Sequence, residues 1–197
     1  MKVGIAGYGV VGKTRHRSIE SNTSYQITAI SESSQEARKS IPAGIKIYND
    51  YKSLIASADI DVIFISLPNL FAAEAACLSL QRGLHVFCEK PPARTHAELL
   101  EVEKQSLKFP ELKLMYGFNH RFHHSVEEAK ALIDSNSLGQ LINMKGVYGK
   151  SKMISFNQTD WRTNREASGG GILLDQGIHM LDLMRYLSGE TLQRFFQ

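Results

Sequence analysis

The sequence predicts a doubly wound parallel α/β sheet followed by an incomplete α/β (α+β) second domain, and three observations carry that prediction. Short apolar runs alternate with longer amphipathic ones through the first two-thirds of the chain. One of those runs, Val62-Ile63-Phe64-Ile65, is uniformly apolar, as a strand covered on both faces must be. Around residue 120 the alternation stops and a different pattern begins. Strands alternating with helices imply parallel pairing and short, right-handed crossovers.

Taken in order, Val3–Ala6 reads as a strand, followed by a glycine turn and a helix to about Ser21. Tyr25–Ser31 is a strand and Gln35–Lys39 a short helix. Ile45–Tyr48 is a strand and Lys52–Ala58 a helical stretch. After Val62–Ile65 comes a helix from Leu70 to Arg82, ended by Gly83 where a glycine C-cap belongs. His85–Cys88 is the next strand. Thr95-His96-Ala97-Glu98 is a capping box that opens another helix, and Leu112–Tyr116 is a further strand. A second capping box, Ser125-Val126-Glu127-Glu128, opens a helix to Asp134. Leu141–Tyr148 alternates like a strand, Ser151–Ser168 is polar and irregular, and Gly169-Gly170-Gly171 leads into an apolar helix ending near Ser188-Gly189. Leu192–Phe196 opens a last strand. Residues 1–120 are thus expected to form one domain and 121–197 part of a second.

With 43% hydrophobic residues, the 197-residue chain can bury the core of one large domain, or of one domain and a smaller piece. The net charge of +3 and the lack of a basic tract argue against a nucleic-acid surface. Lys13, Arg15 and Arg17 read as a solvated helix face. Cys77 and Cys88 lie in apolar stretches outside any CxxC pair, so buried free thiols in a reducing compartment are expected. No run approaches membrane-spanning length, and Met1–Ile5 enters a strand directly, which points to the cytoplasm and away from a membrane.

The turn after the first strand is Gly7-Tyr8-Gly9-Val10-Val11-Gly12. A lone GxGxxG is a weak signal, but here a strand precedes it and a helix follows. Gly7 permits the tight turn, Gly9 lets backbone approach a pyrophosphate, and Gly12 lets helix and strand pack closely. The helix start at Val10 and Val11 offers free N–H groups to phosphates. Glu32 ends the second strand, 20 residues past Gly12, where a carboxylate binds ribose hydroxyls and repels a 2′-phosphate. NAD is the expected cofactor. Ser31, Ser33, Ser34 and Arg38 leave NADP open as the alternative.

Three groups then look catalytic. Glu89-Lys90-Pro91 follows a buried strand, at the strand ends where such sheets bind ligands. A lysine there can bond a substrate oxygen or act as a base; the plainer reading is a strand-end charge pair, and its X-Pro bond can be cis. In the late helix Asp175, His179 and Asp182 fall at i, i+4 and i+7 on one stripe. A carboxylate beside an imidazole orients it as a general base, although a satisfied core histidine has the same spacing. Asp-x-x-x-His could chelate zinc, but no third ligand accompanies it and no metal is expected. The third group is Tyr116–His124, from which Asn119 and Arg121 could reach the cleft, while His123-His124 reads as surface.

The chain resembles the Gfo/Idh/MocA oxidoreductases. The resemblance rests on Gly7–Gly12, Ser66-Leu67-Pro68-Asn69, Glu89-Lys90-Pro91, Phe118-Asn119-His120-Arg121-Phe122, Trp161-Arg162 and Gly169–Asp182, in the family's order. It implies hydride transfer between NAD(P) and a hydroxyl of a sugar, cyclitol or sugar nucleotide. It implies that Lys90 contacts the reacting oxygen, that Asp175 and His179 form the acid/base pair, and that Glu89 and Asn119 lie near the nicotinamide. Pro68 and Asn69 would border the cofactor path; Arg121, Trp161 and Arg162 would join Lys90, Asp175 and His179 around substrate. The sequence departs from the pattern at Ala72, where the family often has histidine, and in length. The chain would then be a fragment of a longer protein or a shortened relative, and a shortened relative would form a homo-oligomer or pair with another chain through Leu141–Tyr148. The competing readings are an NAD(H)-holding paralogue that does not turn over, and an assembly scaffold without cofactor.

Overall fold

The structure, a computed structural model, describes residues 1–149 and 161–190. Six strands form one parallel sheet: β1 Lys2–Ala6, β2 Gln26–Ser31, β3 Lys46–Tyr48, β4 Val62–Ile65, β5 His85–Cys88 and β6 Leu114–Tyr116. Their order is β3-β2-β1-β4-β5-β6, so the chain reverses direction of travel at β1. That is the order in which dinucleotides bind across the switch point, outside the strands' carboxyl ends. The connecting helices are α1 Val10–Glu20, α2 Gln35–Arg38, α3 Tyr51–Ser57, α4 Asn69–Gln81 and α5 His96–Lys108.

The period of two along the strands divides the interior between two faces. Val3, Ile5, Ile30 and Val62 join Ile19 of α1 in one cluster. Ala6, Ala29, Ile63 and Ile65 join Leu54 and Ile55 of α3 and Ala72, Ala76 and Leu80 of α4 in the other. This is why Val62–Ile65 carries no polar residue. A fully buried aliphatic side chain of this size stabilises by about 1.5–3 kcal/mol, so the central strands anchor the domain.

The helix ends follow local chemistry. Asp50 and Thr95 cap α3 and α5 by accepting from the N–H groups of Ser53 and Glu98. The Thr95 box is only half made, because the Glu98 carboxylate accepts instead from the N–H and guanidinium of Arg94. Gly83 follows α4 with φ +83°, as a C-cap glycine does.

After β6 a 3-10 turn, Asn119–Phe122, runs into α6 His124–Asp134. The expected cap at Ser125 is displaced: α6 starts two residues earlier, behind His123, because the 3-10 turn leads straight into it. Leu141–Tyr148 is not a strand. It has no pairing partner among the described residues, and an unpaired strand leaves its N–H and C=O groups to water. Its Ile142 and Val147 side chains are 96% and 82% exposed. The expected strand Leu192–Phe196 and the part 151–160 of the irregular loop lie outside the described residues. A 3-10 turn Trp161–Thr163 and α7 Arg165–Ser168 precede α8 Ile178–Ser188. The late helix is not uniform: Leu173–Gly177 is a π-helical turn. α8 packs on α6 and on the 3-10 turn at Asn119, while α7 packs on α4. No helix among the described residues is long and apolar enough to cross a membrane.

Candidate active site

The glycine turn sits at the carboxyl end of β1. Gly7 has φ +87°, and a Cβ there would stand 2.5 Å from the Ser66 carbonyl oxygen. A Cβ on Gly12 would stand 2.0 Å from the Gly7 carbonyl oxygen, so α1 can start this close to β1 only without one. Gly9 differs: its φ is −73°, and a Cβ there would meet nothing within 4 Å. The protein itself does not need glycine at that position, and the room it leaves lies over the start of α1. No side chain caps α1, and its first internal bond runs from the Lys13 N–H to the Gly9 carbonyl. The N–H groups of Val10, Val11 and Gly12 are therefore left for an outside acceptor. Val10 is 85% exposed, as an apolar residue would be at a site that a ligand covers. These residues fit a dinucleotide's pyrophosphate.

Tyr8 pins the turn from two sides. Its N–H donates to Glu32 Oε2 at 2.8 Å, and its buried hydroxyl lies 2.9 Å from His16 Nδ1. Glu32 Oε1 accepts from the Ser34 N–H at 2.9 Å. The carboxylate thus stands at the end of β2, held by backbone, with lone pairs left for a ribose. Arg38 lies against the Glu32 and Ser33 carbonyls. It is the nearby cation that kept NADP open.

A second set of residues gathers at the carboxyl end of β5. Lys90 Nζ donates to the Asp175 carbonyl at 2.5 Å and to Asp175 Oδ1 at 3.1 Å. The Lys90–Pro91 bond is cis. Gln176 also donates to the Asp175 carboxylate. Burial works to raise the Asp175 carboxyl, but the bonds from Gln176 and Lys90 outweigh it and hold it below the usual carboxylate value. Arg162, whose guanidinium lies over the Trp161 ring, adds positive charge to this group.

His179 is 5% exposed, and its Nδ1 is buried with no hydrogen-bond partner among the described residues. Burial first, then the charges of His120 and Lys90, push its imidazole down to about 4, so it is neutral at pH 7. Asp175 and His179, expected as the acid/base pair, share no hydrogen bond among the described residues. The π turn brings the Asp175 carbonyl and carboxylate to Lys90 instead, and such turns recur at functional sites. Asp182, on the same expected stripe, receives a two-nitrogen bond from Arg121. Arg121, expected at the substrate, has its guanidinium held there and against the Phe118 and Tyr186 rings.

Asn69, expected on the cofactor path beside Pro68, is buried and donates to the Ser168 carbonyl at 2.9 Å, tying α4 to α7. Ala72, the departure from the family pattern, is buried in the core. Asn119 is exposed at the end of β6. Cys88 is buried and Cys77 half-buried, both free, and burial raises both thiols.

Sequence reasoning missed Arg15. It is not a solvated helix residue: its Nε donates to Glu89 Oε1 at 2.6 Å, and its guanidinium lies over Phe87. It links α1 to the segment that carries Lys90. Gly117 serves the same pair, because a Cβ there would stand 2.8 Å from Glu89 Oε2. The only sequence sign was position, three residues past Gly12 and so one helical turn along α1.

The family model described as an oxidoreductase family with an NAD-binding Rossmann fold matches residues 1–117, and the GFO/IDH/MocA C-terminal domain matches 126–196. The chain belongs to the Gfo/Idh/MocA oxidoreductases. The family model's NAD-binding fold agrees with the fit of the glycine turn. Among curated relatives, levoglucosan dehydrogenase of Pseudarthrobacter phenanthrenivorans is 34% identical over 72% of this chain and 36% of its own. D-glucoside 3-dehydrogenase of Escherichia coli is 28% identical over 96% of this chain and 54% of its own. A solved levoglucosan dehydrogenase in complex with NADH and levoglucosan superposes with a TM-score of 0.87 at 28% identity, over 96% of this chain and 54% of that one. The chain spans between about a third and about half of the length of these Gfo/Idh/MocA relatives.

Proposed function

We propose that this chain carries the cofactor site and the acid–base centre of an NAD-dependent dehydrogenase acting reversibly on a hydroxyl of a sugar or cyclitol. One observation carries the reading. Lys90 and Asp175 are hydrogen-bonded on the same carboxyl edge of the sheet as the glycine turn, and His179, one helical turn on, is buried and neutral with an unpartnered Nδ1.

Gly7, Gly9, Val10, Val11, Gly12 and Glu32 would hold the dinucleotide, with Pro68, Asn69, Glu89 and Asn119 along its path. A bound nicotinamide would supply the hydride acceptor for the carbon that bears the reacting hydroxyl. The Lys90 ammonium, with two of its bonds given to Asp175, would then face the substrate oxygen. It donates to that oxygen and stabilises the charge that grows as the proton leaves. Asp175 fixes Lys90 through both its carbonyl and its carboxylate. His179 takes the hydroxyl proton, and a neutral imidazole is the form that can. Arg15 and Glu89 keep α1 and the Lys90 segment in register, which sets cofactor against substrate.

The division near residue 120 separates the cofactor part from a substrate and oligomerisation part, and the family matches at 1–117 and 126–196 support it. The exposed 141–148 segment is where pairing with a further strand or a second copy belongs. The test mixes the native gene product with NAD and a panel of inositols and glucosides, and follows cofactor reduction. The expected result is turnover with at least one of them, falling about a thousandfold in Lys90→Met with NAD affinity kept. NAD binding without turnover on any member, or full turnover by Lys90→Met, would sink the proposal.

A further inference from the structure

Among the described residues, no carboxylate is hydrogen-bonded to His179, as one would ordinarily be to fix a catalytic imidazole. Asp175 is bonded to Lys90 and Gln176, and Asp182 to Arg121. Its ring is instead packed by other rings. His120, on the 3-10 turn after β6, lies face to face with it, with centroids 4.1 Å apart and planes 14° from parallel. Tyr148 lies nearly parallel to both, 5.6 Å from His120 and 6.2 Å from His179. Phe118 meets His179 edge-on at 6.2 Å, and His123 meets His120 edge-on at 5.4 Å.

We propose that His120 is the positioning residue of the acid–base centre: its stacked imidazole holds the ring plane of His179 and, when protonated, keeps a second proton off it. The inference rests on the reading of His179 as the base.

Two face-to-face imidazolium rings at this separation repel each other, so the pair takes one proton before two. His120 is the less buried ring and takes the first. Among the described residues, the other charges facing the pair are of both signs. Lys90 and His123 oppose protonation, while Asp175 and Asp182 favour it. The carboxylates are already bonded to Lys90 and Arg121, which leaves the imidazole neighbour with an unshared effect on His179.

The substitution His120→Phe keeps a stacked ring and deletes the charge, whereas His120→Ala deletes both. In the native-length protein without substrate, NMR of the imidazole resonances should show His179 titrating about one unit higher in His120→Phe. Turnover at pH 8 should stay within about threefold in His120→Phe and fall about tenfold or more in His120→Ala, because only the latter frees the ring plane. His120→Gln, planar, polar and uncharged, repeats the titration should the phenylalanine fail to fold. An unmoved His179 titration in both uncharged variants, or unchanged turnover in His120→Ala, overturns the proposal. Full turnover by His179→Gln would overturn the base assignment instead, and the substrate-free titration would still decide the coupling of the two rings.

Discussion

The glycine turn is shaped by backbone, and the centre around Lys90 is shaped by side chains. At the turn, carbonyl oxygens crowd Gly7 and Gly12, and the free N–H groups at the start of α1 face outward. Of the intervening positions, Gly9 has open space for a side chain, while Tyr8 pins the turn through its buried hydroxyl. Around Lys90, the arrangement depends on particular side chains from distant segments: Lys90 on Asp175, Arg121 on Asp182, Arg15 on Glu89 and His120 on His179. The backbone contributes the π turn at Leu173–Gly177 and the Asp175 carbonyl that accepts from Lys90. A backbone-built site can lose binding and stability together. A site built from side chains can lose chemistry while the fold survives.

The strongest way to sharpen this contrast is Gly12→Ala. The added Cβ would stand 2.0 Å from a main-chain oxygen that no side-chain rotation can move away. The expected cost is about 3 kcal/mol or more, read as a fall in the urea midpoint, with NAD affinity lost as well. A variant with native stability and native affinity would show that the close approach of α1 to β1 does not constrain the turn.

The same contrast explains what the sequence made legible. Strands β1, β4 and β5 were plain because short, continuously apolar runs have few other uses in a chain with this alternation. The cofactor turn was plain because its glycines report backbone geometry directly. Lys90, Asp175 and His179 could be named, but not their connections. A π turn leaves no mark in hydrophobic periodicity, so the stripe that placed Asp175 on His179 had no means of showing Asp175 turned to Lys90. Arg15 read as solvent-facing because its partner Glu89 lies 74 residues away. Leu141–Tyr148 has a strand's alternation, yet alternation specifies a face and not a neighbour, and without a neighbour the segment is not a strand.

The acid limb of stability offers a second test on the side-chain-built half. His179 titrates near 6.5 when unfolded and is pushed down to about 4 in the fold. The unfolded chain therefore binds more protons between those values. The stabilising contribution is complete above about pH 6.5 and drains away as pH falls toward 4, by about 3 kcal/mol at most. His120, lowered in the same direction, adds to the slope. Urea midpoints measured at pH 7 and pH 4.5 should fall less steeply in His179→Gln than in the native protein. Parallel pH slopes would mean that His179 is not neutral by burial, and the case for it as a ready base would weaken with that.

The smallest expected effect separates the two halves most cleanly. Gly9 is the one glycine of the turn that the protein has room to replace, since a Cβ there meets no atom within 4 Å and its φ of −73° suits any residue. Gly9→Ala should therefore leave the thermal midpoint of the cofactor-free protein unchanged, or raise it slightly by removing a flexible residue from the unfolded chain. It should weaken NAD about tenfold, because the methyl group occupies space that the pyrophosphate approaches. Thermal shift with and without NAD reads both quantities in one experiment, since a ligand that binds only the folded state raises the midpoint by an amount that grows with the logarithm of its affinity. Loss of cofactor-dependent stabilisation with native cofactor-free stability would locate the pyrophosphate over Gly9. Equal stabilisation in both proteins would place it elsewhere on the turn, and the free N–H groups of Val10 and Val11 would then need another ligand.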